Sequence, residues 1–266
     1  MSDEFKKYFD ANKAWWNNIT PAHIESDFYD NGSFLAGKNS LNDIELPALG
    51  DISNKKVLHI QCHFGQDSIS MARMGAEVTA IDISDVAIAQ ARHFNDVVGT
   101  DVNFIECNTY DILNHINEKF DLIFMSYGVL AWLPDMEKLA DICGQLIRKG
   151  GSVIIAEFHP TLYLFDFSSG QIAYPYFNTG VYKEITDGDY ADLDDKSMGV
   201  EYFWCHSLEE IMGAFLQEDF NLKIFKEYDY SPYNCFPNMR AVEEGKYQFS
   251  EVKVRIPHVF LLKLAK

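Results

Sequence analysis

Several features are scarce in this 266-residue sequence, and each scarcity removes a class of protein. The five cysteines, Cys62, Cys107, Cys143, Cys205 and Cys235, are odd in number, widely spaced and free of any CxxC pair. That argues against a zinc site and against a disulfide scaffold, and no metal is expected. Positive charge is scarce as well: 22 Lys and Arg stand against 40 Asp and Glu, a net charge of −18. Affinity for nucleic acid comes largely from Lys and Arg neutralising phosphates, and no local basic patch offsets the deficit, so no nucleic-acid partner is expected. Long apolar runs are missing, none approaching the roughly 18 to 20 residues that span a bilayer. The opening MSDEFKKYFDANKAWWNN lacks the charged-then-apolar order of a signal peptide. A soluble, intracellular, cytoplasmic protein with no membrane partner is the expectation.

What remains is an ordinary globular composition, 47% hydrophobic and 23% charged, with a length that allows one to two domains. Between about residues 55 and 160, short apolar runs alternate with stretches of helical period. The runs are VLHI (57–60), VTAI (78–81), VNFI (102–105), DLIFM (121–125) and SVIIA (152–156). Each is short enough to be a buried strand, and 67–75, 84–98 and 134–148 carry apolar residues three and four apart, as helices covering a sheet do. Ser84 with Asp85 and Pro134 with Asp135 are start signals, and Lys149-Gly150-Gly151 reads as a stop. Alternation of this kind predicts βα units around a parallel sheet.

After residue 206 the pattern changes. Ser207 to Glu210 is a capping box opening a helix to about 219. Two strand-like runs follow, 221–230 and 254–266, joined without room for a crossover helix, so they should pair antiparallel. The fold class expected is α/β: a Rossmann-like, seven-stranded, mostly parallel sheet with an antiparallel last strand and helices on both faces.

Two segments stand outside this plan. Within one domain covering 1–266, residues 1–50 read as an N-terminal cap and 160–206 as a lid insertion, leaving 51–159 and 207–266 as the core. Aromatic residues mark the distinction: eight in 5–34 and twelve in 158–204, against three in 57–106. Trp15, Trp16, Phe28, Tyr29 and Phe34 fit either a cover over the ligand or an anchor onto the core. The acidic run 184–195, with six acids in twelve residues, reads as a solvated loop, and 231–239 as an ordered loop near the pocket.

The chemistry concentrates at the end of the first strand, in VLHIQCHFGQDS (57–68), and at Asp82, which ends the second strand 17 residues after Gly65. Open α/β sheets bind ligands beyond the carboxyl ends of their strands, where strand order reverses. A carboxylate there can accept both ribose hydroxyls, and a helix beginning near Asp67 offers N–H groups to an anionic portion. A nucleoside is implied. A dinucleotide fold wants GxGxxG so that backbone can approach a pyrophosphate, but Gln61 and His63 occupy the earlier glycine places and only Gly65 remains.

These residues carry a resemblance. With Asp82 in VTAIDIS, ECNTYDI (106–112), FDLIFMSYGVLAWLPD (120–135) and KGGSVIIAEFHP (149–160), the chain resembles a class I S-adenosylmethionine-dependent methyltransferase of small-molecule type from about residue 10 onward. The usual loop is of the form D-x-G-C-G-x-G; here His59, Gln61 and His63 replace its acid and two glycines, as in a branch reading H-x-Q-C-H-F-G. The resemblance implies S-adenosyl-L-methionine as cofactor and a small-molecule methyl acceptor as partner. It implies that Gln61, Cys62, His63, Gly65, Asp67 and Ser68 form the first loop of the cofactor site, that Asp82 binds ribose, and that Ile83 packs on adenine. Asn108, through its amide oxygen, with the backbone at Thr109 and Tyr110, would read the adenine edge. Ser126 and Tyr127 would face the methionine portion and the transferring methyl.

Methyl transfer from a sulfonium needs alignment of the acceptor, exclusion of water and, for a neutral acceptor, a proton acceptor. Aromatic walls suit a sulfonium. Candidate bases lie at strand ends: Tyr127 after the fourth strand, Glu157 and His159 after the fifth, with His206 at the end of the insertion. Each histidine could equally be a packed, hydrogen-bonded residue, and His59 and His63 read as structural parts of the loop. Two other functions compete: a non-catalytic S-adenosylmethionine-binding or regulatory module, and a nicotinamide-dependent dehydrogenase, which the missing GxGxxG disfavours.

Overall fold

The computed structural model describes residues 3–187, 190–191 and 197–266. Helices α1 (Asp3–Glu25), α2 (Asn31–Leu35) and α3 (Leu46–Leu49) precede the sheet. Strands β1 (Lys56–Ile60), β2 (Glu77–Asp82) and β3 (Asn103–Glu106) alternate with α4 (Gln66–Arg73) and α5 (Asp85–Val98). Strands β4 (Phe120–Ser126) and β5 (Ile147–Phe158) flank α6 (Met136–Leu146). Beyond them lie β6 (Tyr182–Asp187), β7 (Met198–Phe203), α7 (Leu208–Gln217), β8 (Asn221–Tyr228), β9 (Met239–Glu243), β10 (Lys246–Phe249) and β11 (Val259–Ala265).

The main sheet has seven strands in the order β3-β2-β1-β4-β5-β11-β8. All neighbours are parallel except β11, which runs antiparallel to both β5 and β8. Side chains alternate across β1: Leu58 and Ile60 join the core on one face, Val57 the core on the other, as the period of two requires. Helices α6 and α7 cover the first core, α4 and α5 the second. The order reverses between β1 and β4, so the carboxyl ends of β1, β2 and β4 border one crevice.

The helix starts are made by local chemistry. Ser84 Oγ accepts from Ala87 N at 3.0 Å, Asp135 Oδ1 from Lys138 N at 2.9 Å and Ser207 Oγ from Glu210 N at 3.1 Å. The stop signal after α6 lies elsewhere than the sequence suggests. The helix ends at Leu146, and Lys149-Gly150-Gly151 is inside β5. There the register jumps from Phe120↔Ile147 to Leu122↔Ser152. Gly150 is left-handed (φ 81°), and a Cβ on Gly151 would lie 2.9 Å from the Asp121 carbonyl, so the two glycines form a bulge in a strand.

The last strand starts at Val259 instead of 254, and a hairpin, β9 with β10, occupies the connection from β8. The lid segment contains a second antiparallel pair, β6 with β7. Residues 184–187 of the acidic run are therefore strand, whereas 188–189 and 192–195 lie outside the described residues. Strand β7 is clasped to α1: Asn12 Nδ2 donates to the Tyr202 carbonyl at 2.7 Å, and Tyr202 N donates to Asn12 Oδ1 at 2.8 Å.

Candidate functional site

The first loop leaves β1 through two residues that strain to adopt their backbone. Gln61 (φ 58°) and His63 (φ 50°) are left-handed without being glycine, at a cost of roughly 1–2 kcal/mol each. Three hydrogen bonds hold the course: Cys62 N to the Ile81 carbonyl at 2.8 Å, Gly65 N to the Cys62 carbonyl at 2.9 Å, and His63 N to Asp82 Oδ2 at 2.8 Å. Gly65 opens α4 at φ 83°, and a Cβ there would come within 2.6 Å of the Phe104 ring. No other residue fits at position 65.

Asp82 ends β2 and clamps two backbone N–H groups, His63 on Oδ2 and Ser84 on Oδ1 at 2.9 Å. Burial pushes its carboxyl above the ordinary value, and those N–H groups pull it back. Asp82 also lines a cavity, together with Ile83, Asn108 and Thr109. Asn108 caps a short turn: its Oδ1 accepts from Tyr110 N at 2.9 Å. The amide oxygen expected to read an adenine amino group is thus engaged by backbone.

At the end of β4, Tyr127 is again left-handed (φ 43°). Its hydroxyl donates to Glu45 Oε2 at 2.8 Å. Glu45, 0% exposed, also accepts from Asn42 N at 2.5 Å, and Asn42 Nδ2 donates to the Tyr233 hydroxyl at 2.7 Å. Beside it, Asp67 accepts from Ser40 at 2.7 Å and Ser126 at 3.1 Å. Burial first, then the Asp67 charge, pushes the Glu45 carboxyl up to about 7. A titratable carboxyl at neutral pH therefore sits directly behind a phenol on the cavity wall.

The cavity has a volume of about 630 Å³, within the range of small-molecule sites. One end is formed by the first loop, Asp82 and the end of β4. The other is formed by the lid and the β8–β9 connection, including Tyr163, Tyr174, Glu184, Phe203 and Phe236. Helix α1 contributes Asn12, Trp15 and Trp16 between them. Five carboxylates line it, Asp67, Asp82, Asp166, Glu184 and Glu201, and among the described residues no Lys or Arg does. Its two imidazoles are neutral: burial holds His59 down at about 3 and His63 well below its ordinary value. His59 Nε2 and His63 Nε2 are buried and have no hydrogen-bond partner among the described residues.

Of the residues singled out from sequence, Gln61, Cys62, His63, Asp67, Asp82, Ile83, Asn108, Thr109, Ser126 and Tyr127 meet on this wall. Gly65, Ser68 and Tyr110 stand behind it: Ser68 bonds His59 Nδ1 at 2.8 Å, and the Tyr110 hydroxyl donates to the Asp135 carbonyl at 2.7 Å. Three of the four candidate bases are elsewhere. Glu157 is 3% exposed and its carboxylate accepts from the backbone of Gly128, Val129, Leu130 and Phe158, so it shapes the turn after β4 and is not free to take a proton. His159 accepts from Thr161 N at 3.0 Å and pairs with Glu227 at 2.9 Å. His206 donates to the Leu133 carbonyl at 2.7 Å. Tyr127 alone of the four lines the cavity. Sequence reasoning missed Glu45, Asn12, Glu184 and Glu201. The first two have no local signal, and the acids were absorbed into the expectation of a solvated loop or left unremarked.

Among the described residues, no three His, Cys, Asp or Glu are grouped to hold a metal ion, and no helix is long and apolar enough to cross a membrane. The sheet order, with one antiparallel strand beside β5, is that of the Rossmann-like methyltransferase fold. Residues 58–153 match the family model described as "Methyltransferase domain". A ubiquinone biosynthesis O-methyltransferase of Coxiella burnetii (strain Dugway 5J108-111) is 25% identical over 160 residues, 58% of this chain and 61% of the relative. The chain thus spans about three fifths of the length of the curated relatives it matches. Among solved structures, a putative S-adenosylmethionine-dependent methyltransferase from Listeria monocytogenes superposes with a TM-score of 0.58 at 18% identity, covering 83% of this chain and 93% of that one. Magnesium protoporphyrin IX methyltransferase from Synechocystis PCC 6803, with bound S-adenosylhomocysteine, superposes at 0.50 and 16% identity, covering 94% and 99%.

Proposed function

We propose that this protein is an enzyme that transfers the methyl group of S-adenosylmethionine to a small molecule. The observation that carries the reading is one cavity that joins a nucleoside-type end, Asp82 with Ile83 and Asn108, to the Tyr127–Glu45 pair. The chemistry of the wall fits this cofactor. A pyrophosphate would meet carboxylates and neutral imidazoles with no Lys or Arg among the described residues, whereas S-adenosylmethionine sets a sulfonium and an ammonium against a single carboxylate and is net positive. Asp82 would hold the ribose, Ile83 would pack on the base, and Asp67 with Ser126 would face the methionine portion. When bound, S-adenosylmethionine supplies a methyl on a sulfonium, a leaving group that needs no further activation.

The protein's own part is alignment and proton handling. Trp16, Trp132 and Tyr127 wall the middle of the cavity and exclude water. The Tyr127 phenol donates to Glu45 and so turns an oxygen lone pair toward the cavity. An acceptor O–H or N–H bonded to that oxygen can pass its proton to the phenol as the phenol passes its own to Glu45. A carboxyl of about 7 is matched to that task at neutral pH.

Calorimetry with S-adenosylhomocysteine and NAD tests the cofactor: the former should bind and the latter should not, and the reverse overturns the reading. Transfer of a labelled methyl to a panel of small acceptors separates an enzyme from a non-catalytic binding module. Tyr127→Phe should then lower kcat while leaving S-adenosylhomocysteine affinity unchanged.

A further inference from the structure

The lid end of the cavity brings three carboxylates to one wall. In the β6–β7 pair Glu184 lies directly opposite Glu201, and like charges in that register destabilise a sheet. Both line the cavity, as does Asp166. Burial, then Glu201, then Asp166 push the Glu184 carboxyl above its ordinary value, so the three groups are near enough to repel. The adjacent Lys183 is exposed and outside the wall. The acids are not gathered to chelate a metal ion. They line a cavity of organic size whose wall also carries the rings of Tyr163, Tyr174 and Phe203. Aromatic faces attract cations and have no such attraction for carboxylates or phosphates.

From this geometry we infer that the methyl acceptor carries a positively charged amine, seated against Asp166, Glu184 and Glu201 among the lid aromatics; the inference rests on the methyl-transfer reading above. The charged group serves recognition at the lid end, and the atom that takes the methyl lies toward Tyr127. Acidic acceptors of the same shape are rejected, because two or three carboxylates would face another.

Three indoles whose side chains are cationic, anionic and neutral test it: tryptamine, indole-3-propionate and 3-ethylindole, titrated calorimetrically into the 266-residue protein saturated with S-adenosylhomocysteine. Tryptamine should bind at least tenfold tighter than indole-3-propionate, with the neutral compound between. Glu184→Gln should weaken tryptamine about fivefold and leave 3-ethylindole within twofold. Glu184→Lys should reverse the preference toward the acid, and unchanged S-adenosylhomocysteine affinity in both variants shows that they fold. Equal binding of amine and acid, no binding of any of the three, or a preference that both variants leave intact overturns the inference. If S-adenosylhomocysteine itself fails to bind, the methyl-transfer reading falls. The same titrations without it then decide the charge preference separately.

Discussion

Glu45→Gln isolates the carboxyl behind Tyr127 from the rest of the molecule. Glu45 is 0% exposed, and its carboxyl is raised from 4.5 to about 7, chiefly by burial and then by Asp67. Below pH 4.5 folded and unfolded chains both hold the proton, so the shift has no effect on stability. Between 4.5 and about 7 the unfolded chain gives its proton up while the folded one retains it, and stability falls as pH rises. Above about 7 the loss is complete, on the order of 3 kcal/mol. With an unfolding entropy of about 2.1 cal/mol/K per residue, 266 residues convert each kcal/mol to about 2 °C, or about 6 °C in all. Glutamine keeps an acceptor for Asn42 N and stays neutral throughout. The melting temperature of the variant relative to wild type should therefore climb by about 6 °C between pH 4 and pH 8 in ligand-free protein. Acids that do not interact with Glu45 are common to both chains and drop out of the difference, while relief of the repulsion with Asp67 in the variant acts in the same direction. Parallel curves would refute the reasoning, and a variant that loses ground as pH rises would mean that Glu45 is ionised and held so by Tyr127 and Asn42.

Three further outcomes follow from named contacts. Asp82→Ala should weaken S-adenosylhomocysteine binding by at least tenfold in calorimetry (about 1.4 kcal/mol or more); an unchanged affinity would remove Asp82 from the site. His159→Ala removes the acceptor of the Thr161 N–H and leaves a hole where a buried ring stood, so it should lower stability by about 1–3 kcal/mol with S-adenosylhomocysteine affinity and turnover intact. Loss of turnover at normal stability would return His159 to the catalytic group. Gly199→Ala would put a Cβ 2.0 Å from the Trp15 ring where β7 crosses α1, and overpacking of that kind should cost about 1–3 kcal/mol. A melting temperature equal to wild type would mean that lid and helix separate freely.

Much of the fold was legible because its signals are local. A strand buried on both faces must be a short continuous apolar run, so VLHI, VTAI and SVIIA lie inside β1, β2 and β5. Ser84, Asp135 and Ser207 cap helices through bonds to residues three positions on. Glu45 gives no such signal: in LNDIELPALG it is one acid in a loop, and its burial depends on Tyr127, 82 residues away. Glu157 and His159 sit at a strand end, as position suggested, but position does not fix direction. The turn after β4 presents N–H groups that capture Glu157, and Glu227 from the neighbouring edge captures His159. Strand β6 was hidden by composition, since half of the run 184–195 is acidic and the strand lies outside both apolar cores of the main sheet.

The first loop joins these observations. Glycine at 61 and 63 would adopt left-handed backbone freely and leave open space beside it. Here the same course is imposed on Gln61 and His63 by the Asp82 carboxylate and the carbonyl of Ile81, and their side chains become part of the cavity wall. Asp82 fixes the loop through His63 N and Ser84 N while also lining the cavity, so in the proposed reading the ribose would share the carboxylate with the loop. The side chains of Gln61 and His63 take up space at this end of the cavity without adding positive charge. The cavity wall as a whole then carries carboxylates and aromatic rings with no Lys or Arg among the described residues, and this is the electrostatic ground on which the proposed cationic donor and acceptor rest.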